Sequence, residues 1–274
     1  MNNSSPIRKQ IRAWLKAGVM DKGAYQNTEA GTPQGGVISP LLANIALHGL
    51  EEAVMEIIPT KKQKTELTVV RYADDFVILH KDREVINQAR KVVEQWLTTL
   101  GLELKDEKTK ISHTLEGDEP GFDFLGFNIR QYEVSKHRCS GRAQRDSGKS
   151  GHGHKTLIKP STKAIKKHKE KIATVIKSHR AASPATLIGK LNPIIRGWSN
   201  YYKTVVSTET YADMDRYLWG LIWQWATRRH PNKSHQWIAK KYWGTEGLNN
   251  WVFKGKVKNG EEIGMTRHSE TKIV

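Results

Sequence analysis

Cysteine is almost absent. Cys139 is the only one in 274 residues, which excludes an internal disulfide and a cysteine-rich zinc site and fits a reducing compartment. No apolar run approaches the ~20 residues of a membrane-spanning helix, and the N-terminus has no signal-peptide core. Those two absences predict a soluble, cytoplasmic protein with no membrane partner. Apolar residues are nearly missing from Ser135 to Lys159 as well. That stretch of Gly, Ser, His, Lys and Arg reads as a flexible basic linker. His137, His152 and His154 lie in it without the regular spacing of a metal site, so nucleic-acid phosphate is the expected ligand there.

Acidic residues are scarce in one half only. Residues 1–135 carry 17 Lys/Arg against 19 Asp/Glu, whereas residues 136–274 carry 28 against 9. The formal net charge of +17 therefore belongs to the second half, the footprint of a surface that displaces counterions from a nucleic-acid backbone. A ribosomal-type or membrane-surface protein would share this charge; the aromatic residues of that half argue against both.

Around Val69-Val70-Arg71-Tyr72-Ala73-Asp74-Asp75-Phe76-Val77-Ile78-Leu79, two β-branched and aromatic runs meet at adjacent carboxylates, which predicts a β-hairpin with acid at its tip. Two neighbouring aspartates repel unless a cation sits beside them. Magnesium takes hard oxygen ligands, so Asp74 and Asp75 are candidate metal ligands and catalytic residues for phosphoryl transfer. The plain alternative is an exposed Asp-Asp turn.

Elsewhere the periodicity is mostly helical. Ile7, Ile11, Trp14 and Leu15 predict a core-facing helix from near Pro6 to Gly18, and nothing in the first 28 residues alternates like a strand carrying a further metal-binding aspartate. Leu41, Leu42, Ile45, Leu50 and Val54 predict one buried helix face after Ser39-Pro40. Val85 to Leu100 predicts a helix ending at Gly101, followed by a short strand at Leu102 and Leu104. Gly121 to Ile129 has strand periodicity. Three helices beginning near Pro160, at Pro184 and at Thr208 predict a small bundle. Lys190, Arg196, Asn200, Tyr202, Lys203, Arg228 and Arg229, interleaved with its apolar positions, are candidates for an RNA-facing side.

Four blocks carry a family resemblance. Tyr72-Ala73-Asp74-Asp75 resembles the palm motif of reverse transcriptases. Gly31-Thr32-Pro33-Gln34-Gly35-Gly36-Val37-Ile38-Ser39-Pro40-Leu41-Leu42-Ala43-Asn44-Ile45 resembles the segment beside template and incoming nucleotide. Gly121-Phe122-Asp123-Phe124-Leu125-Gly126-Phe127-Asn128-Ile129 resembles the primer grip. Leu191-Asn192-Pro193-Ile194-Ile195-Arg196-Gly197-Trp198-Ser199-Asn200-Tyr201-Tyr202, extended by Arg229-His230-Pro231-Asn232-Lys233-Ser234, resembles the thumb and maturase region of group II intron reverse transcriptases. The resemblance implies nucleotide or template contacts at Gln34, Gly35, Gly36 and Tyr72, and primer contacts at Phe124, Leu125 and Gly126. It also implies RNA contact at Lys233 and two magnesium ions at a site to which Asp74 and Asp75 contribute.

The expected architecture is α+β. A partial right-hand polymerase palm of antiparallel sheet plus helices (1–134) leads through the basic linker (135–159) into an α-helical thumb and maturase bundle (160–243) and the start of a C-terminal extension (244–274). The resemblance implies intron RNA, an RNA template with a DNA primer, and deoxynucleoside triphosphates as partners. The fingers and the first palm aspartate are not found in this text, so the chain alone is not expected to polymerise DNA. The alternatives are an RNA-binding splicing maturase without polymerase activity, and one half of a two-chain reverse transcriptase completed by a separate fingers-and-palm chain.

Overall fold

The computed structural model describes residues 6–16, 19–21, 24–26, 39–58, 66–133, 154–247, 249–257 and 259–274. They fall into two units, Met1–Ile111 and Ser112–Val274.

In the first unit, β3 (Thr68–Tyr72) and β4 (Asp75–Leu79) pair antiparallel, with Tyr72 opposite Asp75 and Val69 opposite Ile78. Val69, Phe76 and Ile78 pack against a core of Leu50, Val54, Leu67, Ala89, Val93 and Leu97. Three of those core residues come from α4 (Arg83–Thr99), whose N-cap Asp82 accepts from the Glu84 N–H. At its other end Gly101 takes φ +70°, and the N–H groups of Gly101 and Leu102 return to the carbonyls of Thr98 and Leu97. This is the left-handed cap that glycine allows at least cost. Leu102 to Lys105 form no strand.

The helix expected after Ser39 is broken. α2 (Ser39–Ala46) ends ahead of a turn at Leu47 to Gly49, and α3 (Leu50–Met55) starts anew. Leu50 and Val54 are fully buried, but Leu41 and Ile45 are exposed. Likewise α1 (Pro6–Lys16) forms where expected, yet Ile7 and Trp14 on its stripe are exposed rather than core-facing. Periodicity reports a helix face; burial depends on what packs there. Two three-residue strands, β1 (Val19–Asp21) and β2 (Ala24–Gln26), make a small antiparallel hairpin that is too short to leave an alternating pattern.

The second unit begins with a three-stranded antiparallel sheet, β5 (Phe122–Phe124), β6 (Phe127–Glu133) and β7 (His154–Pro160). β7 occupies the end of the stretch that reads as linker. Four helices follow: α5 (Thr162–Ser178), α6 (Pro184–Tyr202), α7 (Thr208–Arg229) and α8 (His235–Tyr242). Ile172, Leu187, Leu191, Ile195, Leu218 and Ile222 form the centre of their core.

Residues beyond 243 belong to the same core. β8 (Trp243–Glu246), β9 (Asn249–Lys256) and β10 (Glu262–Gly264) form a sheet that places Phe253 among the buried residues, 1% exposed. β9 runs so close to the start of α6 that a Cβ at Gly255 would stand 2.7 Å from the Pro184 carbonyl carbon. Only glycine permits that approach.

Candidate nucleic-acid interface

Asp74 and Asp75 lie at the tip of the β3–β4 hairpin, both exposed, beside Tyr72 at 65% exposure. The two-residue turn needs Ala73 at φ +53°, where a non-glycine residue is strained. Arg71 braces it. Its Nη1 donates to the Asn44 side-chain oxygen at 2.9 Å and to the Ala73 carbonyl at 3.2 Å, while Nε donates to Glu51 at 3.3 Å. One guanidinium thus ties the turn to α2 and α3, a role that sequence reasoning missed because its partners lie 20 and 27 residues away. The paired carboxylates are hard donors of the kind magnesium takes. No group of three or more His, Cys, Asp or Glu suited to a metal forms among the described residues. Gln34, Gly35 and Gly36 lie outside those residues.

Phe124, Leu125 and Gly126 form the turn between β5 and β6, with Leu125 at φ +50° and Gly126 at φ +82°. The end of α6 holds it. The Tyr201 hydroxyl donates to the Leu125 carbonyl at 2.9 Å, and the Tyr202 hydroxyl donates to the Gly126 carbonyl at 3.1 Å. The Ser161 N–H, at the N-cap of α5, donates to the same Gly126 carbonyl at 2.8 Å. Phe127 stacks on Tyr201 and meets Tyr202 edge-on. Burial pushes the Tyr202 phenol up to about 12.

That placement separates the basic and polar candidates. Lys190, Arg196, Arg228 and Lys233 are exposed, and Lys203 is half-buried. Tyr202 is 3% exposed and occupied by the turn, so it has no face for RNA. Arg229 caps backbone, donating to the carbonyls of Arg180 and Ala182, with its guanidinium over Trp225. Arg196 donates to the Thr266 hydroxyl. His230 is pushed below its usual value by burial and by Lys241, Arg229 and Lys233 around it, which marks a dense positive cluster at the α7–α8 junction. A second basic surface lies on α5, where Lys163, Lys166, Lys167, Lys171 and Lys177 are exposed on one face with Glu170 among them. The three- and four-residue spacing from Lys163 to Lys171 was the signal for it.

The second unit closes on a buried polar chain. Asp215 on α7 accepts from Nδ1 of His268 at 2.8 Å and from the N–H groups of His268 and Ser269. Nε2 of His268 meets Nε2 of His168 on α5 at 2.8 Å, and the His168 ring stacks on Trp198 of α6. Burial, the neighbouring His268 and Lys171 lower His168 to about 3. Burial raises Asp215, but the hydrogen bonds from His268 and Ser269 outweigh it and the net shift is downward. Asn192 adds a second clasp, donating to the Gly264 carbonyl and accepting from the Thr266 N–H, both at 3.0 Å.

A hairpin tipped with paired carboxylates and a separate, strongly basic helical unit place the chain among proteins that work on nucleic acid. Residues 3–129 match the reverse transcriptase (RNA-dependent DNA polymerase) family, and residues 165–243 match the group II intron maturase-specific domain. The group II intron-encoded protein LtrA of Lactococcus lactis subsp. cremoris is 26% identical over 261 residues, 70% of this chain and 42% of that protein. A 91 kDa protein in the cob intron of Schizosaccharomyces pombe is 27% identical over 276 residues, 76% of this chain and 33% of that protein. Protein YkfC of Escherichia coli (strain K12) is 33% identical over 145 residues, 42% of this chain and 36% of that protein. The chain belongs to the group II intron-encoded reverse transcriptase and maturase family. It spans less than half the length of these curated relatives. No helix among the described residues is long and apolar enough to cross a membrane.

Proposed function

We propose that the chain binds structured intron RNA through its second unit and assists splicing. The observation that carries this reading is charge. Residues 112–274 hold 29 Lys/Arg against 14 Asp/Glu, and the lysines of α5 form an exposed face on the unit that matches the maturase domain. Lys190, Arg196, Arg228 and Lys233 extend the surface. The test is equilibrium binding to a group II intron RNA and to an unrelated RNA of equal length across a salt series. A preference that survives rising salt is expected, and replacing Lys163, Lys167 and Lys171 together by Ala should lower the slope of log affinity against log salt by about 2. A steep salt dependence with no preference between the RNAs sinks the reading.

A second reading concerns the hairpin of the first unit and, by itself, the β5–β6 turn of the second; the hairpin geometry favours it. Asp74 and Asp75 would hold magnesium, which when bound supplies charge neutralisation for phosphoryl transfer. Tyr72 beside them, and Gln34, Gly35 and Gly36, would position template and nucleotide; the Phe124–Leu125–Gly126 turn would support the DNA primer. Two-metal transfer needs a carboxylate beyond these two, which a fingers-and-palm partner would supply. Primer extension on an RNA template tests it, using the chain alone and mixed with that partner, with Asp74→Ala as control. Extension only in the mixture supports the reading. Extension by the chain alone replaces it with a self-sufficient site, and silence in both removes it.

A further inference from the structure

Two exposed tryptophans of the second unit face a cavity of about 340 Å³ between α7 and β9. Trp219, 44% exposed, stacks one face on Trp223 with ring centres 5.4 Å apart and planes 10° from parallel. Trp251, 58% exposed, sits on β9 at φ +60°, a conformation that a bulky residue adopts only when its surroundings impose it. Arg267 braces it: its Nη2 donates to the carbonyls of both Asn250 and Trp251. Two large apolar faces are thus exposed at the surface, where their burial would be favoured.

The rim is polar and largely self-satisfied. Arg216 lies one turn before Trp219, is 78% exposed in its side chain and pairs with Asp213. Asp215 turns instead to His268 and Ser269. The walls offer flat aromatic faces rather than hydrogen-bonding groups, and they belong to a unit whose excess of positive charge complements an anionic chain.

We infer that this cavity receives an unpaired RNA base, stacked against Trp219 and Trp251, with the phosphate beside it at Arg216. The inference rests on RNA binding by the second unit and adds to it a base-stacking site that the lysine face does not supply. Stacking of this kind tolerates any base, because each has a π-face. The pocket therefore favours single-stranded loops or bulges over the helical parts of an RNA.

The test compares binding of a ten-nucleotide oligoadenylate with its abasic counterpart of equal charge, using the full chain. The wild type is expected to prefer the base-bearing strand, and Trp219→Ala or Trp251→Ala should each weaken that strand by about tenfold while leaving the abasic strand unchanged. Trp251→Phe keeps a flat face and should retain part of the preference, which guards against a fold defect. Lys163→Ala should weaken both strands alike. Binding without preference in the wild type, or full preference in both alanine variants, overturns the inference while RNA binding stands. Failure of the wild type to bind either strand or intron RNA is the failure of the reading beneath it.

Discussion

Nε2 of His168 and Nε2 of His268 face each other at 2.8 Å, one hundred residues apart in sequence. The carboxylate of Asp215 decides which nitrogen holds each proton. It accepts from Nδ1 of His268; with that ring neutral its Nε2 is an acceptor, and Nε2 of His168 donates the proton between the rings. One hydrogen-bonded chain thereby joins α5, α7 and the 3₁₀ turn at His268–Glu270.

Acid should break that chain. His168 is lowered to about 3 from an ordinary 6.5, so the unfolded chain binds a proton throughout that interval and the native state does not. Stability from this group is complete above pH 6.5 and is lost as pH falls toward 3, amounting to about 2 kcal/mol between pH 7 and pH 5. Asp215, also lowered, loses its contribution below its own unfolded value. Denaturant midpoints measured from pH 7 to pH 5 should fall. His168→Gln keeps a donor toward His268 without titrating and should flatten the curve; an unchanged slope in that variant would refute the assignment.

The hydrogen bonds of Asn192 make the C-terminal strands part of the helical unit. Asn192→Ala leaves the Gly264 carbonyl and the Thr266 N–H without their partner, a cost of about 2 kcal/mol. Hydrogen exchange should then accelerate in residues 262–270 well before it does in α6. Uniform acceleration along the chain would mean that the clasp is not local.

What was legible in the sequence follows the range of the interactions. α7 begins at Thr208 and ends at Arg229 as its periodicity predicts, because Met214, Leu218, Ile222 and Trp225 repeat along one helix. The Asp74–Asp75 hairpin was equally legible, since its strands are adjacent and their β-branched residues pair across a two-residue turn. By contrast, Asn192 meets Gly264 and Asp215 meets His268 across 72 and 53 residues. No local pattern encodes such pairs, so residues 244–274 read as the start of a C-terminal extension beyond the bundle, and Tyr202 as an RNA contact. The break at Gly49 went unread for the same reason: Leu41 and Ile45 continue the stripe of Leu50 and Val54 but nothing covers them in the described residues of that unit.

The Leu125–Gly126 turn should depend on glycine and on one hydroxyl separately. A Cβ at Gly126 would stand 2.8 Å from the Tyr202 hydroxyl, and φ +82° is strained for any other residue. Gly126→Ala is expected to cost about 2 kcal/mol, and Tyr202→Phe about 1 kcal/mol. Thermal unfolding of the double variant should show less than the sum, because removing the hydroxyl relieves the collision while the backbone strain remains. Strict additivity would show that the collision relaxes by other means.

Position and charge at the hairpin tip can be separated with Arg71 and Asp74. Asp74 is exposed, so Asp74→Asn should leave stability within about 0.5 kcal/mol and weaken manganese or magnesium binding by at least about tenfold, since a neutral amide replaces one of two anionic donors. Arg71→Ala removes the brace to Asn44, Glu51 and Ala73. It should lower stability by about 1 kcal/mol and weaken the metal only through the turn. Calorimetric titration of both variants decides. Loss of metal affinity in Asp74→Asn with unchanged unfolding assigns the carboxylate to the metal, whereas equal affinity in the wild type and Asp74→Asn would make the pair an exposed acidic turn and nothing more.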